Sequence, residues 1–437
     1  MRDQGAPLVL FCNLADPDQG SVVQQLSAVH AACDRDQGDH ELAGRMSLAY
    51  AKACRRMAEL AGRYGLAGDL WHCCLLLELV CDENPLSLAA EGRAGSLGSL
   101  EDLLAQESLA LSALWNWSFD DVERWLGVHA MRTLRSWRAS KGCSISWLLG
   151  AVRAIDAAGG TPEVIARTLL DTYAAHGTGA FALTPVVGVD CAGDGTVTFV
   201  PKDLGDRPGL DDLVGYELQK ERLVDNTRAF VEGRPANNVL LYGDAGTGKS
   251  TSVAALAPAY ADEGLRIVEL YKHQMRALPD VLALLATRNL RFIVFIDDLS
   301  FEGEEVEYKY LKAVIEGGVA ARPDNVLVYA TSNRRHLIKE TWSDRDDMEH
   351  DGDIHRSDTM QEKLSLAGRF GLTINYSAPN RQLYHDIVAE LAARAGIAMP
   401  EADLMRLADA WEIRHGGVSG RVAAQFIDNL AATTPAP

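Results

Sequence analysis

The chain has no apolar run long enough to cross a bilayer. Its longest, Leu70–Cys81 (LWHCCLLLELVC), is well short of the roughly 20 residues a membrane helix needs, and it contains Glu78. A buried helix is the expectation. Positive charge is also scarce: 42 Lys and Arg face 61 Asp and Glu, a formal charge of −19. So acidic a surface argues against coating nucleic acid or an anionic membrane through bulk charge, but leaves a local basic channel open. The eight cysteines (12, 33, 54, 73, 74, 81, 143 and 191) form no CxxC pair. A chain of this size needs no disulfide staples, so reduced, metal-free thiols are expected. The opening MRDQGAPLVLFCNLADPDQG has mixed charge and only a brief apolar stretch, so no secretory leader and a cytoplasmic protein are expected.

What is present is globular. With 47% hydrophobic residues, wholesale disorder is ruled out. The 437 residues imply two or three domains at roughly 150 residues each. Residues 1–176 read as an all-helical domain, with apolar spacings of three and four over Leu42–Leu60, Leu100–Leu114, Phe119–Trp137 and Pro162–Tyr173. Gly-rich breaks at Gly92–Gly98 and Gly159–Gly160 separate the pieces. Six tryptophans there (Trp71, Trp115, Trp117, Trp125, Trp137, Trp147) read as core filling. No catalytic constellation stands out, so this domain is the natural place for a client. Residues 177–202 read as a β-hairpin connector, Phe181–Val189 and Thr196–Val200.

From Leu213 the pattern changes. Strands at Val239–Tyr242, Ile267–Tyr271, Phe292–Ile296, Val326–Ala330 and Leu372–Tyr376 alternate with helices. Runs such as FIVFI and VLVYA are apolar throughout, as in parallel strands covered on both faces. The expected fold is α/β: a parallel five-stranded sheet with flanking helices over 203–378, a small helical region over 379–431, and a disordered tail at 432–437.

The strongest motif lies between the first of these strands and a helix: Gly243, Asp244, Ala245, Gly246, Thr247, Gly248, Lys249, Ser250. It matches GxxxxGK[ST] in full and sits in the strand–helix context the motif requires. Glycines let backbone N–H groups turn inward around phosphate oxygens, and the helix N-terminus adds positive potential. Lys249 would reach the outer phosphates of ATP, the Ser250 hydroxyl would ligate Mg²⁺, and Thr251 continues the phosphate-facing turn. Further on, RFIVFIDDLSFE ends an apolar strand in carboxylates. Asp297 is the candidate Mg²⁺ partner. Asp298 would orient or deprotonate water, with one methylene less reach than a Glu. NVLVYATSNRRHL ends another strand in Thr331-Ser332-Asn333, and Asn333 is the candidate to hold the water or sense phosphate.

This set resembles the AAA+ ATPases. More narrowly, the run from about Leu213 to Leu430 resembles the bacterial AAA+ family designated domain of unknown function 815. The resemblance is carried by LVGYELQKERLVDNTRAFVEGRPANNVLLYGDAGTGKSTS, RFIVFIDDLSFEGEEVEYKYLKAVIEGG, RPDNVLVYATSNRRHL, EKLSLAGRFGL and GGVSGRVAAQFID. It implies an Mg²⁺-dependent ATPase with a helical lid, working as a homo-oligomer on a protein or nucleic-acid client. It implies three further assignments: Arg369 as an arginine finger toward a neighbouring subunit, Arg421 as a second sensor in the lid, and Val214–Gly215–Tyr216 around the adenine. Alternatives are an ATP-gated switch with little hydrolysis, motivated by Asp298, and a DNA-acting loader, motivated by Tyr271-Lys272-His273 at a strand end.

Three weaker features complete the reading. Lys339–Met360 holds eight acidic against three basic residues; despite His350 and His355 it reads as a solvated loop, not a metal site. Glu302–Glu316 reads as an acidic amphipathic helix. Pro258 is expected to kink or end the loop helix near Ala257.

Overall fold

The computed structural model describes residues 8–12, 21–35, 40–92, 96–203, 205, 208–301, 307–316, 323–333 and 367–433. Two units are present: Met1–Thr184 with Thr287–Leu290, and Pro185–Ala286 with Arg291–Pro437.

The first unit is helical among its described residues. At its centre lies Leu70–Cys81, buried along nearly its whole length, as a helix apolar on almost every side must be. Asp69 starts it by accepting from the N–H groups of Trp71 and His72 at 3.0 and 3.3 Å. Glu78, the one charge in this run, has a structural role. Its carboxylate accepts from Val22 N–H at 2.7 Å and Ser21 Oγ at 2.5 Å, satisfying the start of helix Val22–Arg35. Burial pushes its carboxyl above the usual carboxylate range. Trp71 and Trp115 are buried here, and Trp117, Trp125, Trp137 and Trp147 pack against the same core. The expected single helix over Phe119–Trp137 is two short pieces, Asp120–Leu126 and Met131–Leu134, because Gly127 turns left-handed at φ 68° and closes the first.

The second unit is built on a sheet of seven strands: β1 (Val186–Cys191), β2 (Val197–Pro201), β3 (Val239–Gly243), β4 (Leu265–Glu269), β5 (Arg291–Ile296), β6 (Val326–Ser332) and β7 (Leu372–Tyr376). Their order is β2-β1-β4-β5-β6-β3-β7. Every neighbouring pair is parallel except β1 with β2, so the sheet is mixed. The five expected parallel strands are β3 to β7.

The hairpin expected as a connector is instead part of this sheet, which therefore has seven strands and not five. Its first strand, VVGVDC, pairs in parallel with β4, Val186 opposite Ile267. That explains the apolar run: Val186, Val187 and Val189 are buried as an inner strand's residues are. β2 alternates between half-buried and exposed positions, as an edge strand does. The unit boundary consequently falls at Thr184/Pro185, not near residue 202. A one-turn helix, Ala180–Leu183, replaces the first part of the expected strand.

Pro258 does not end its helix. The helix Lys249–Tyr260 runs through it to Tyr260. One missing N–H removes one bond, while Leu256, Ala257 and Tyr260 are anchored in the core beneath the sheet. After β7, helices Arg381–Arg394, Glu401–Arg414 and Gly420–Thr433 form a small cluster around Tyr384, Val388, Ala408 and Ala423. Of Glu302–Glu316, the described part forms helix Glu307–Glu316. The acidic stretch Lys339–Met360 and the residues after Thr433 lie outside the described residues. No described helix is long and apolar enough to cross a membrane.

Candidate functional site

In a parallel sheet, the carboxyl ends of the strands are where loops converge on a ligand. Here the ends of β3, β5 and β6 bring the expected residues together. β3 passes into the loop Gly243–Gly248 and then into the helix starting at Lys249.

The loop's shape depends on glycine at three points, Gly243, Gly246 and Gly248, all at positive φ. Gly243 has φ 136°, and a Cβ on it would lie 2.1 Å from the Tyr376 carbonyl oxygen. That carbonyl accepts the Asp244 N–H at 3.0 Å, which pins the loop to the end of β7. Gly246 has φ 74°, and a Cβ there would press on Arg421 Cβ and Ser419 Oγ at 3.1 Å. A methyl at position 243 therefore meets rigid backbone and not a movable side chain. Gly243→Ala should lower stability by about 3 kcal/mol, from backbone strain plus displacement of β7. Thermal melting checks this: a midpoint within a degree of wild type would contradict the geometry.

Lys249 is buried, and its Nζ donates to the carbonyls of Gly243 (3.0 Å) and Asp244 (2.6 Å) and to Asn333 Oδ1 (3.2 Å). Burial lowers its pKa. Asp244, Asp297 and Asp298 pull it up, and the Arg421 charge adds to the lowering. The amine thus faces a site where added negative charge would be welcome.

Ser250 Oγ donates to Asp297 Oδ1 at 2.5 Å, so the two residues expected to share a cation are already in contact. Two oxygens of this kind suit a hard divalent cation that takes its other ligands from phosphate and water. Asp298 sits in the left-handed region at φ 50°, uncommon for a residue with a side chain. Its carboxylate accepts from Asn333 Nδ2 at 2.9 Å. Lys249, Asn333 and Asp298 are thus linked in one chain of hydrogen bonds, with the Ser250–Asp297 pair beside them.

A cavity of about 730 Å³ opens over the loop. It is lined by Ala245, Gly246, Thr247, Gly248, Lys249, Ser250 and Thr251, by Asp297, Asp298, Thr331 and Asn333, and by Arg421. Its far wall is Val214, Gly215, Tyr216, Ile387 and Leu391, with Arg394 beside them. Gly243 and Asp244 stand behind Lys249 and do not line it. Arg421 reaches the loop through its backbone, its N–H meeting the Gly246 carbonyl at 3.3 Å. Tyr216 stacks on Tyr376 with centroids 5.1 Å apart and donates to the Ser377 carbonyl at 2.8 Å. Asp244 Oδ2 accepts the Ala378 N–H at 2.6 Å. Arg369 is not in the cavity wall; it is exposed, in the turn before β7.

Sequence reading missed Ile387, Leu391 and Arg394. Their spacing puts them on one face of helix Arg381–Arg394, which periodicity shows, but the partner of that face is a tertiary fact. Arg394 Nη1 donates to the Asp212 carbonyl at 2.9 Å, tying this helix to the Val214–Tyr216 segment. Thr331 was missed as well, although it stands in the quoted TSN. At the end of β4, Tyr271 is half exposed and stacks on His273, with Lys202 Nζ 4.7 Å from the Tyr271 ring centre. Lys202 also pairs with Glu269. A second cavity of about 460 Å³ lies between this group and Ser250 and Asp297.

A glycine-rich loop between parallel strand β3 and a helix, with a carboxylate at the end of β5 one strand beyond β6, makes this unit a P-loop domain resembling the AAA+ ATPases. The chain matches the family described as "Protein of unknown function (DUF815)" over residues 193–434, more than half its length, and belongs to that family. Among solved structures it is similar to the Thermotoga maritima RuvB Holliday junction branch migration motor, at 18% identity and a TM-score of 0.37 over 52% of this chain. The chain spans 65% of that structure. A mutant form of the same protein matches at 16% identity and a TM-score of 0.31, over 52% of this chain and 74% of that one. No curated protein matches the chain.

Proposed function

We propose that this protein binds ATP with Mg²⁺ in the large cavity and hydrolyses it, at an interface between copies of the chain. The observation that carries the reading is the pair of hydrogen-bonded groups, Lys249–Asn333–Asp298 and Ser250–Asp297, side by side on the floor of a cavity with an apolar far wall. Backbone N–H groups of the Gly246–Gly248 turn and Lys249 hold the phosphates. Ser250 and Asp297 would hold Mg²⁺, which when bound neutralises charge building on the phosphates. Val214, Tyr216, Ile387 and Leu391 enclose the base.

Asp298 and Asn333 orient the attacking water, whose oxygen bonds to the γ-phosphorus as the bond to the ADP oxygen breaks. Asp298 takes the water's proton. Arg369 of a neighbouring copy meets the γ-phosphate, and Arg421, next to Gly246, couples nucleotide to the C-terminal helices acting as a lid. The client is a protein or nucleic acid. For nucleic acid, the exposed Tyr271–His273 stack with Lys202 offers a base-sized aromatic face.

Asp298→Asn keeps the shape and removes the base. Steady-state phosphate release should fall by about 100-fold while ATP affinity stays within a factor of about two. Equal turnover in the two proteins would remove Asp298 from the chemistry. A second reading, a slowly hydrolysing switch, is favoured by the short Asp298 carboxylate held on Asn333. Wild-type turnover slower than ATP release would select it.

A further inference from the structure

Thr331 belongs to none of the roles above, yet it touches more of the carboxylate pair than any of them. It is 2% exposed at the end of β6, the strand that lies between β5 and β3. Its hydroxyl donates to Asp297 Oδ1 at 2.5 Å and accepts the Asp298 N–H at 2.9 Å. Its carbonyl accepts the Leu299 N–H at 2.7 Å. One residue therefore pins three successive positions of the strand end that carries the acidic pair.

Each contact has a distinct consequence. The hydrogen bond to Asp297 falls on the same oxygen that accepts from Ser250 Oγ. A carboxylate held from behind keeps its orientation when the partner in front changes, and groups that orient a ligating carboxylate govern metal affinity. The bond to the Asp298 N–H supports a left-handed backbone, φ 50°, which a side-chain-bearing residue adopts only when its surroundings hold it there. That conformation accompanies the Asp298–Asn333 contact. A single hydroxyl thus links the cation side of the site to its water side.

We propose that Thr331 is a positioning residue that sets Asp297 for the divalent cation and Asp298 for water through the two bonds of its hydroxyl. This rests on the ATPase reading above and deepens it. Valine at 331 keeps the volume and removes both bonds; serine keeps the hydroxyl.

The test measures ATP affinity by calorimetry, with Mg²⁺ and with EDTA, alongside steady-state turnover against Mg²⁺ concentration, for wild type, Thr331→Val and Thr331→Ser. In Thr331→Val, ATP affinity in EDTA should be unchanged. The gain in affinity on adding Mg²⁺ should shrink, the half-saturating Mg²⁺ concentration should rise about 10-fold, and kcat should fall by about 10- to 100-fold. Thr331→Ser should restore most of both. Wild-type Mg²⁺ dependence and kcat in Thr331→Val would overturn the proposal. So would equal loss of ATP affinity in EDTA and in Mg²⁺, which marks a purely structural residue. Wild type that binds no ATP would instead overturn the ATPase reading and this inference with it.

Discussion

Replacing Lys249 with alanine should raise the dissociation constant for ATP by about 10²- to 10⁴-fold. This follows from two charge-assisted hydrogen bonds to phosphate, each worth about 1.5–3 kcal/mol, converted at about 1.4 kcal/mol per decade. The amine is the group placed to make them. It is buried at the cavity floor, its pKa is lowered by burial, and its present acceptors are carbonyls of the loop itself and Asn333. Phosphate oxygens would replace neutral acceptors with charged ones, which is the favourable exchange for a buried cation. The fold should survive, because the loop remains pinned by the Asp244 N–H on Tyr376 and by Asp244 Oδ2 on the Ala378 N–H. Calorimetric titration with ATP, beside a thermal melt, separates the two effects. Retained micromolar affinity in a folded Lys249→Ala protein would exclude the loop as the phosphate site.

Turnover should fall about 10³-fold or more in Arg369→Ala, with ATP affinity little changed. The split between binding and turnover arises because Arg369 is outside the cavity wall of its own chain and exposed before β7. In the proposed reading a residue so placed acts on the site of another copy. Mixing offers the sharper measurement. Arg369→Ala subunits keep an intact loop, and Lys249→Ala subunits keep an intact Arg369, so the mixture should regain turnover that neither has alone. No recovery in a mixture that light scattering shows to be co-assembled would remove Arg369 from the role. Full turnover in Arg369→Ala alone would do the same.

Much of the site was legible in the sequence, for a local reason. In the proposed reading the phosphate contacts come from consecutive backbone groups, so the loop and its lysine fit within Gly243–Ser250. The apolar runs of β3, β5 and β6 announced buried parallel strands because both faces of such a strand must be apolar. Asp297 followed from being the first polar residue after its apolar run, and Asn333 from belonging to the polar Thr331-Ser332-Asn333 that ends another.

Elsewhere local pattern was insufficient. VVGVDC reads as a hairpin strand, and nothing within it says that Val186 pairs with Ile267 to extend the sheet. Glu78 reads as a flaw in an apolar helix until the start of helix Val22–Arg35 is seen to rest on its carboxylate. Thr331 looks like one of three turn residues, and only the adjacency of β5 and β6 puts its hydroxyl between Asp297 and Asp298. The sequence by itself determined the phosphate loop, the strand set and the acidic strand end, because each is a property of neighbours along the chain. Tertiary structure alone decided the seven-stranded sheet, the apolar wall from helix Arg381–Arg394 and the position of Thr331. Those depend on pairings between segments that periodicity describes one at a time.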